Sequence, residues 1–250
     1  MRIILSPAKN MRRQPAEGLE LPPMLGSTEQ LLEALRTMSF EELKKLWGCS
    51  DALTVLNLER LREMDLRREL TPAVLAYDGS VFRHLAPETL SSGEREYLDE
   101  HLRILSAFYG VLRPFDGIVP YRLEMKSRFG INGADDLYGF WGSSLYEAVR
   151  DGSGVIINLA SKEYSLCIEK QLRPGDRFVT VEFCALEGGR LRSKATYAKM
   201  TRGEMLRYMA ENRLTDPARL KGFDRLGYAF SPEHSDENTL VFVRRIKYSE

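Results

Sequence analysis

Val155-Ile156-Ile157-Asn158-Leu159-Ala160-Ser161-Lys162-Glu163-Tyr164 passes from one kind of structural signal to another within a single short stretch. Three consecutive β-branched apolar residues read as a strand buried on both faces, the pattern of a parallel sheet. Ser161 then opens an amphipathic segment that predicts a helix through Lys170. A strand feeding directly into a helix is the repeating unit of α/β sheets. Upstream, Ile3-Ile4-Leu5 is a second buried strand, closed by Ser6-Pro7 and delivering Lys9 into a loop. Downstream, Phe178 to Ala185 alternates around Val179, Val181 and Phe183, and Glu187-Gly188-Gly189 turns it into a return strand running to about Ala195.

The remaining chain supplies the helices. Leu31, Leu32, Leu35 and Met38 recur at helical spacing, and Ser39 with Glu42 forms a capping box for the next helix. Ser50 caps a longer helix through Arg68 with Val55, Leu58 and Leu61 inward, and Val74 to Tyr77 reads as a strand before the Asp78-Gly79 turn. Ser92 begins an acidic helix to His101, followed by a strand from Leu102 to Phe108 that ends at Gly110. Pro114, Asp116-Gly117 and Pro120 mark the next segment as loop. Leu137 to Val149 and Tyr197 to Arg213 read as helices, the latter with Met205 and Met209 on one side. Gly227 to Phe230 and Leu240 to Arg245 read as closing strands. No repeat or linker divides the chain, so the expectation is one α/β (mixed α+β) domain over 1–250. Its mixed sheet is flanked by helices.

Composition narrows the function. With 43% hydrophobic and 29% charged residues the chain is globular, and no apolar run reaches the roughly 18 residues of a membrane span. Cys49, Cys167 and Cys184 form no CxxC pair and read as reduced core thiols. Together with the absence of a leader-like start, this predicts a cytoplasmic protein with no membrane partner. Acids and bases balance at 36 each, which excludes a globally basic nucleic-acid binder, yet the charges are segregated. Met1 to Arg13 carries four bases and no acid. Leu102 to Gly130 and Arg190 to Arg207 are also positive, while Glu88 to Glu100 forms an acidic patch. Such segregation can focus anions into a cleft.

Conventional enzyme motifs, GxSxG, HExxH and the phosphate-loop lysine, do not occur, and His84, His101 and His234 are isolated. Instead, Tyr, Arg, Lys and Asn gather in loops beside strands. These clusters are Ser6-Pro7-Ala8-Lys9, Tyr109-Gly110-Val111-Leu112-Arg113-Pro114, Pro120-Tyr121-Arg122-Leu123-Glu124-Met125, Asn158 to Tyr164, and Lys199 to Gly203. With Phe140-Trp141-Gly142, Gly227-Tyr228 and Val241-Phe242-Val243-Arg244, in that order, they make the chain resemble the YaaA family of bacterial peroxide-stress proteins nearly end to end.

The resemblance implies a cytoplasmic protein that helps cells survive hydrogen peroxide by limiting free iron, with a fold of its own around a positively charged cleft. It also implies DNA binding linked to a helix-hairpin-helix element. Leu105 to Gly110 and Leu220 to Asp224 are partial matches, each lacking one of the two glycines that let backbone amides approach phosphate. No cofactor or metal is called for.

Three functional readings follow. In the first, Lys9, Arg113, Arg122, Lys199 and Arg202 contact phosphates of duplex or branched DNA with little sequence preference, and Tyr109, Tyr121 and Tyr164 offer stacking surfaces. Internal pairing with Glu124 or Glu163 is the competing role for the cations. In the second, an enzyme acts on a small phosphorylated or nucleotide-like anion in a pocket that adds Ser6, Glu124, Asn158, Ser161 and Glu163 to the tyrosines. Glu163 would be its general base. An iron-binding protein is the third and weakest, because no metal-ligand spacing occurs. Convergence of these residues on one concave pocket favours the second reading, and an open groove favours the first.

Overall fold

Ile3, Ile4 and Leu5 are fully buried because the strand that carries them lies near the middle of an eight-stranded sheet, where both faces are covered. A computed structural model describes residues 1–244. The first half contains β1 (Arg2–Leu5), α1 (Leu25–Arg36), α2 (Phe40–Trp47), α3 (Asp51–Glu63), β2 (Thr71–Pro72), α4 (Ala73–Ala76), α5 (Ser80–Leu85), α6 (Ser92–His101), β3 (Leu102–Ser106), β4 (Gly110–Leu112) and β5 (Gly117–Ile118). The second half contains α7 (Leu137–Trp141), α8 (Ser144–Val149), β6 (Val155–Asn158), α9 (Lys162–Glu169), β7 (Arg177–Glu187), β8 (Arg190–Arg192), α10 (Ala195–Glu211), β9 (Tyr228–Phe230) and β10 (Thr239–Arg244).

The main sheet runs β4-β3-β1-β6-β7-β10-β9, with β8 pairing the end of β7. β3, β1, β6, β7 and β10 are parallel, while β4, β8 and β9 are antiparallel additions. The mixed sheet flanked by helices is therefore as expected, and its apolar residues form one contiguous core. Ile4, Asn158, Thr180 and Thr239 stand in register across the four central strands.

The expected capping box, Ser39 with Glu42, closes at the start of α2, and a second, Ser91 with Glu94, starts α6. Several elements differ from expectation. Val74 to Tyr77 is not a strand: it is mostly the short helix α4, whose Ala73 and Val74 amides donate to the Asp116 and Pro114 carbonyls. α3 stops at Glu63 and turns Thr54, Asn57 and Leu61 inward, leaving Val55 exposed. Asn57 and Thr54 satisfy their polar groups on the preceding turn's carbonyls, which lets them occupy buried positions. The single helix expected from Leu137 to Val149 is broken at Gly142, whose φ of 50° lies in the left-handed region. Gly110 begins a hairpin strand, and β8 ends at Arg192. Arg245, the last residue of the expected closing strand, lies outside the described residues.

Candidate functional site

The carboxyl ends of β1 and β6 are neighbours that the chain leaves in opposite directions, toward β3 on one side and β7 on the other. Open α/β sheets bind ligands in the crevice that such a switch point creates. Here a cleft of about 370 Å³ opens between the loop after β1, the start of α9, the Tyr121–Glu124 segment, α5 and α10.

Ser6 and Ser161 tie the two strand ends together. The Ser6 hydroxyl accepts from the Ser161 amide at 2.8 Å and stands 3.1 Å from the Ser161 hydroxyl. The opposite wall depends on glycines. Gly203 lets α10 cross α5 so closely that a methyl group there would run into the Val81 carbonyl, and this crossing carries Lys199 and Arg202 to the cleft. A methyl on Gly79 would sit 2.9 Å from the Ala8 side chain, so the β1 loop packs flat against the start of α5.

Tyr121 forms part of the floor, its hydroxyl 2.9 Å from that of Tyr77 and 2.7 Å from that of Ser106. Burial pushes its phenol up to about 12, and burial likewise raises that of Tyr164, so both are neutral at physiological pH.

The charges divide into satisfied and unsatisfied groups. Glu124 lies between Lys9 at 2.7 Å and Arg122 at 3.2 Å, and Arg83 pairs with Asp78 at 2.9 Å. Glu163 accepts from the Lys126 amide at 3.2 Å, with the Lys126 amine 4.0 Å away. Among the described residues, Lys199 and Arg202 have no carboxylate within salt-bridge distance. The Nε atoms of both Arg122 and Arg202 are buried and have no hydrogen-bond acceptor among the described residues. Burial lowers the pKa of the Arg202 guanidinium, an effect that Glu182 partly offsets.

Ten expected site residues line this one cleft: Ser6, Lys9, Tyr121, Arg122, Glu124, Ser161, Glu163, Tyr164, Lys199 and Arg202. Three lie elsewhere. Arg113 is held by Glu20 and by Asp116, 2.9 Å away, which makes it a structural ion-pair partner. Tyr109 is fully buried, its hydroxyl taken by the Val119 backbone, so it offers no face for stacking. Asn158 accepts from the Ala160 amide at 2.9 Å and faces an adjoining groove that shares Arg202 with the cleft. The wall formed by Asp78 and Arg83 was absent from the sequence expectation, although Asp78-Gly79-Ser80 is itself a helix-start signal.

The family model for the peroxide stress protein YaaA matches residues 1–234. The chain belongs to the YaaA family. Among curated members, a UPF0246 protein of Agathobacter rectalis is 50% identical over 248 residues, covering 98% of this chain and 100% of its own. One from Lachnoclostridium phytofermentans is 46% identical over 250 residues, covering 98% and 96%. At the family level this YaaA-family chain is a peroxide stress protein. Neither partial match to a helix-hairpin-helix takes that form. Leu105 to Gly110 lies across the β3–β4 hairpin, and Leu220 to Asp224 straddles the end of a 3₁₀ turn. No helix among the described residues is long and apolar enough to cross a membrane, and no group of three or more His, Cys, Asp or Glu there is placed to hold a metal ion.

Proposed function

We propose that this YaaA-family chain acts in the cytoplasmic response to peroxide by binding DNA through the basic cleft, helping to limit free intracellular iron and oxidative damage. The observation that carries this reading is the pair of buried Nε atoms of Arg122 and Arg202, which have no acceptor among the described residues, beside the amine of Lys199, which has no carboxylate partner there. Buried donors demand acceptors, and phosphate oxygens supply several at once. A basic rim extends the footprint: Lys45, Lys126 and Arg128 line a second hollow that shares Lys9 and Glu124 with the cleft. Backbone phosphates track the rim while one reaches inward, an arrangement with little dependence on base sequence.

Fluorescence anisotropy of a labelled oligonucleotide tests this with Lys199→Ala and Arg202→Ala. Loss of a charge-assisted phosphate contact is expected to weaken binding about tenfold or more in each variant. Melting temperatures should stay near that of the parent, because neither residue holds an internal carboxylate among the described residues. Unchanged affinity in both variants would remove the cleft from the DNA interface.

An enzyme acting on a small phosphorylated or nucleotide-like substrate is the second reading. It is favoured by the concave shape of the site and by its place at the sheet's switch point. Glu163, which lines the cleft and accepts from the Lys126 amide, is the general-base candidate in that reading, whereas Glu124 is held in ion pairs by Lys9 and Arg122.

A further inference from the structure

Asn158, Thr180 and Thr239 occupy one row of the sheet on three adjacent parallel strands. Partners in register on parallel strands project to the same face. That position lies in the middle of the sheet, where β-branched apolar residues ordinarily pack beneath a helix. Here all three residues instead line a groove of about 630 Å³ between α9 and the sheet. Phe178 is half-buried on the same face, two residues before Thr180 on β7.

The groove is not a separate feature. Arg202 lines both it and the cleft and so stands at their junction, with Nε buried and without an acceptor among the described residues. On the cleft side the carboxylates of Asp78, Glu124 and Glu163 each have a cation within salt-bridge distance, which leaves Lys199 and Arg202 over; the groove side offers neutral hydrogen-bonding side chains, the internally paired charges of Lys162 with Glu169 and of Asp176 with Arg150, the carboxylate of Glu182 and an aromatic ring. A ligand spanning both must be an anion at one end. At the other it must be neutral, rich in donors and acceptors, and flat enough to lie on Phe178.

We propose that this groove is a nucleoside subsite, so that cleft and groove together take one nucleoside monophosphate unit with its phosphate at Arg202. The inference rests on the reading of the cleft as a phosphate site and adds what lies beyond the phosphate. Asn158 donates to Thr180 Oγ1 at 3.4 Å and accepts from the Ala160 amide, which fixes its carboxamide. The Thr180 and Thr239 hydroxyls and Glu182 then meet sugar hydroxyls or base edges. A duplex is too wide to enter such a groove. The unit therefore arrives as a free nucleotide or as a nucleotide of a single-stranded or extruded segment.

Isothermal titration calorimetry of the full chain with inorganic phosphate, deoxyadenosine monophosphate and a short single-stranded oligonucleotide tests the proposal. Deoxyadenosine monophosphate is expected to bind at least about tenfold more tightly than phosphate, the margin supplied by stacking and hydrogen bonds. Thr180→Val and Thr239→Val keep the β-branched shape of their strands and remove a hydroxyl. Each should lower nucleotide affinity several-fold without changing phosphate affinity, and Thr180→Ser should restore it. Arg202→Gln should weaken both ligands. If the valine variants also weaken the oligonucleotide, the nucleoside arrives on a strand; if they affect the mononucleotide alone, the free nucleotide is the ligand. Equal affinity for phosphate and nucleotide, or valine variants that leave their ratio intact, would overturn the nucleoside subsite while leaving the cleft reading standing. Phosphate and oligonucleotide binding indifferent to Lys199→Ala and Arg202→Gln would instead overturn the cleft itself.

Discussion

At the residue scale, the thiols bear on how a peroxide-stress protein meets its oxidant. The thiolate, not the thiol, attacks the O–O bond of peroxide, so a sensing cysteine needs a depressed pKa and an open approach. Cys167 has neither: it is buried on α9, and burial pushes its thiol up to about 12. Burial raises the Cys184 thiol as well. At pH 7 the Cys167 thiolate is then a minute fraction, and it becomes substantial only as pH approaches 12. We expect native protein treated with hydrogen peroxide and then iodoacetamide at pH 7 to show Cys167 unmodified by mass spectrometry. The same thiol should alkylate readily after unfolding in denaturant. Sulfenic or sulfinic acid at Cys167 in the native protein would mean that the helix opens to oxidant and that this chain senses peroxide by thiol chemistry. Cys49, expected with the other two in the core, is only half-buried; without thiol chemistry at any of the three, action on peroxide damage rests on what Arg202 and Lys199 bind.

At the scale of elements, the α5–α10 crossing is the joint on which the cleft's far wall hangs. Gly203→Ala gains up to about 1 kcal/mol of helix propensity, but the new methyl meets the backbone carbonyl of Val81, which cannot rotate away. Overpacking of this kind costs about 1–3 kcal/mol, so the net change in a urea unfolding curve should be destabilising. DNA affinity should fall with it, since Lys199 and Arg202 ride on the displaced helix; a variant as stable as the parent would show that the crossing relaxes freely. Sequence could not reveal this joint, because it depends on two elements more than a hundred residues apart. What sequence did reveal was local. The apolar runs at Ile3 and Val155 identified the parallel strands, and the segments just after them held Ser6, Lys9, Ser161 and, in the first turn of α9, Glu163, which converge because strand ends converge. Val74 to Tyr77 misled for a physical reason: the Ala73 and Val74 amides are taken by the Pro114–Asp116 loop, and the Tyr77 amide turns back to the Ala73 carbonyl, which makes the segment a helical turn. Arg113 misled because one of its two partners, Glu20, is remote in sequence, and because the turn that brings Asp116 onto it is not visible in the residue order alone. The row of Asn158, Thr180 and Thr239 exists only once three strands are in register, and no reading of one strand contains it.

For the whole molecule, a formal charge of zero shapes how any polyanion is met. A globally basic binder draws DNA from a distance, whereas here 36 acidic side chains cancel the far field and attraction is confined to the cleft and its rim. Affinity should therefore report close phosphate contacts, and its salt dependence should count them. Internal pairing already occupies Lys9, Arg83, Arg113 and Arg122, so these side chains neutralise few phosphates and displace few of the counterions condensed on DNA. Among the described residues, Lys199, Arg202, Lys45 and Arg128 line the cleft or rim without a carboxylate within salt-bridge distance. If each neutralises one phosphate of a duplex, the slope of log K against log salt is about −3 to −4. Anisotropy titrations from low to physiological salt measure that slope directly. Lys199→Ala should make it shallower by about one unit, while Arg113→Ala, outside the cleft, should leave it unchanged. A flat salt series would mean that phosphates are not what these cations hold. A slope far steeper than four would mean that DNA displaces the internal carboxylates, so that Lys9 and Arg122 change partners when the ligand binds and Glu124 is set free in the cleft.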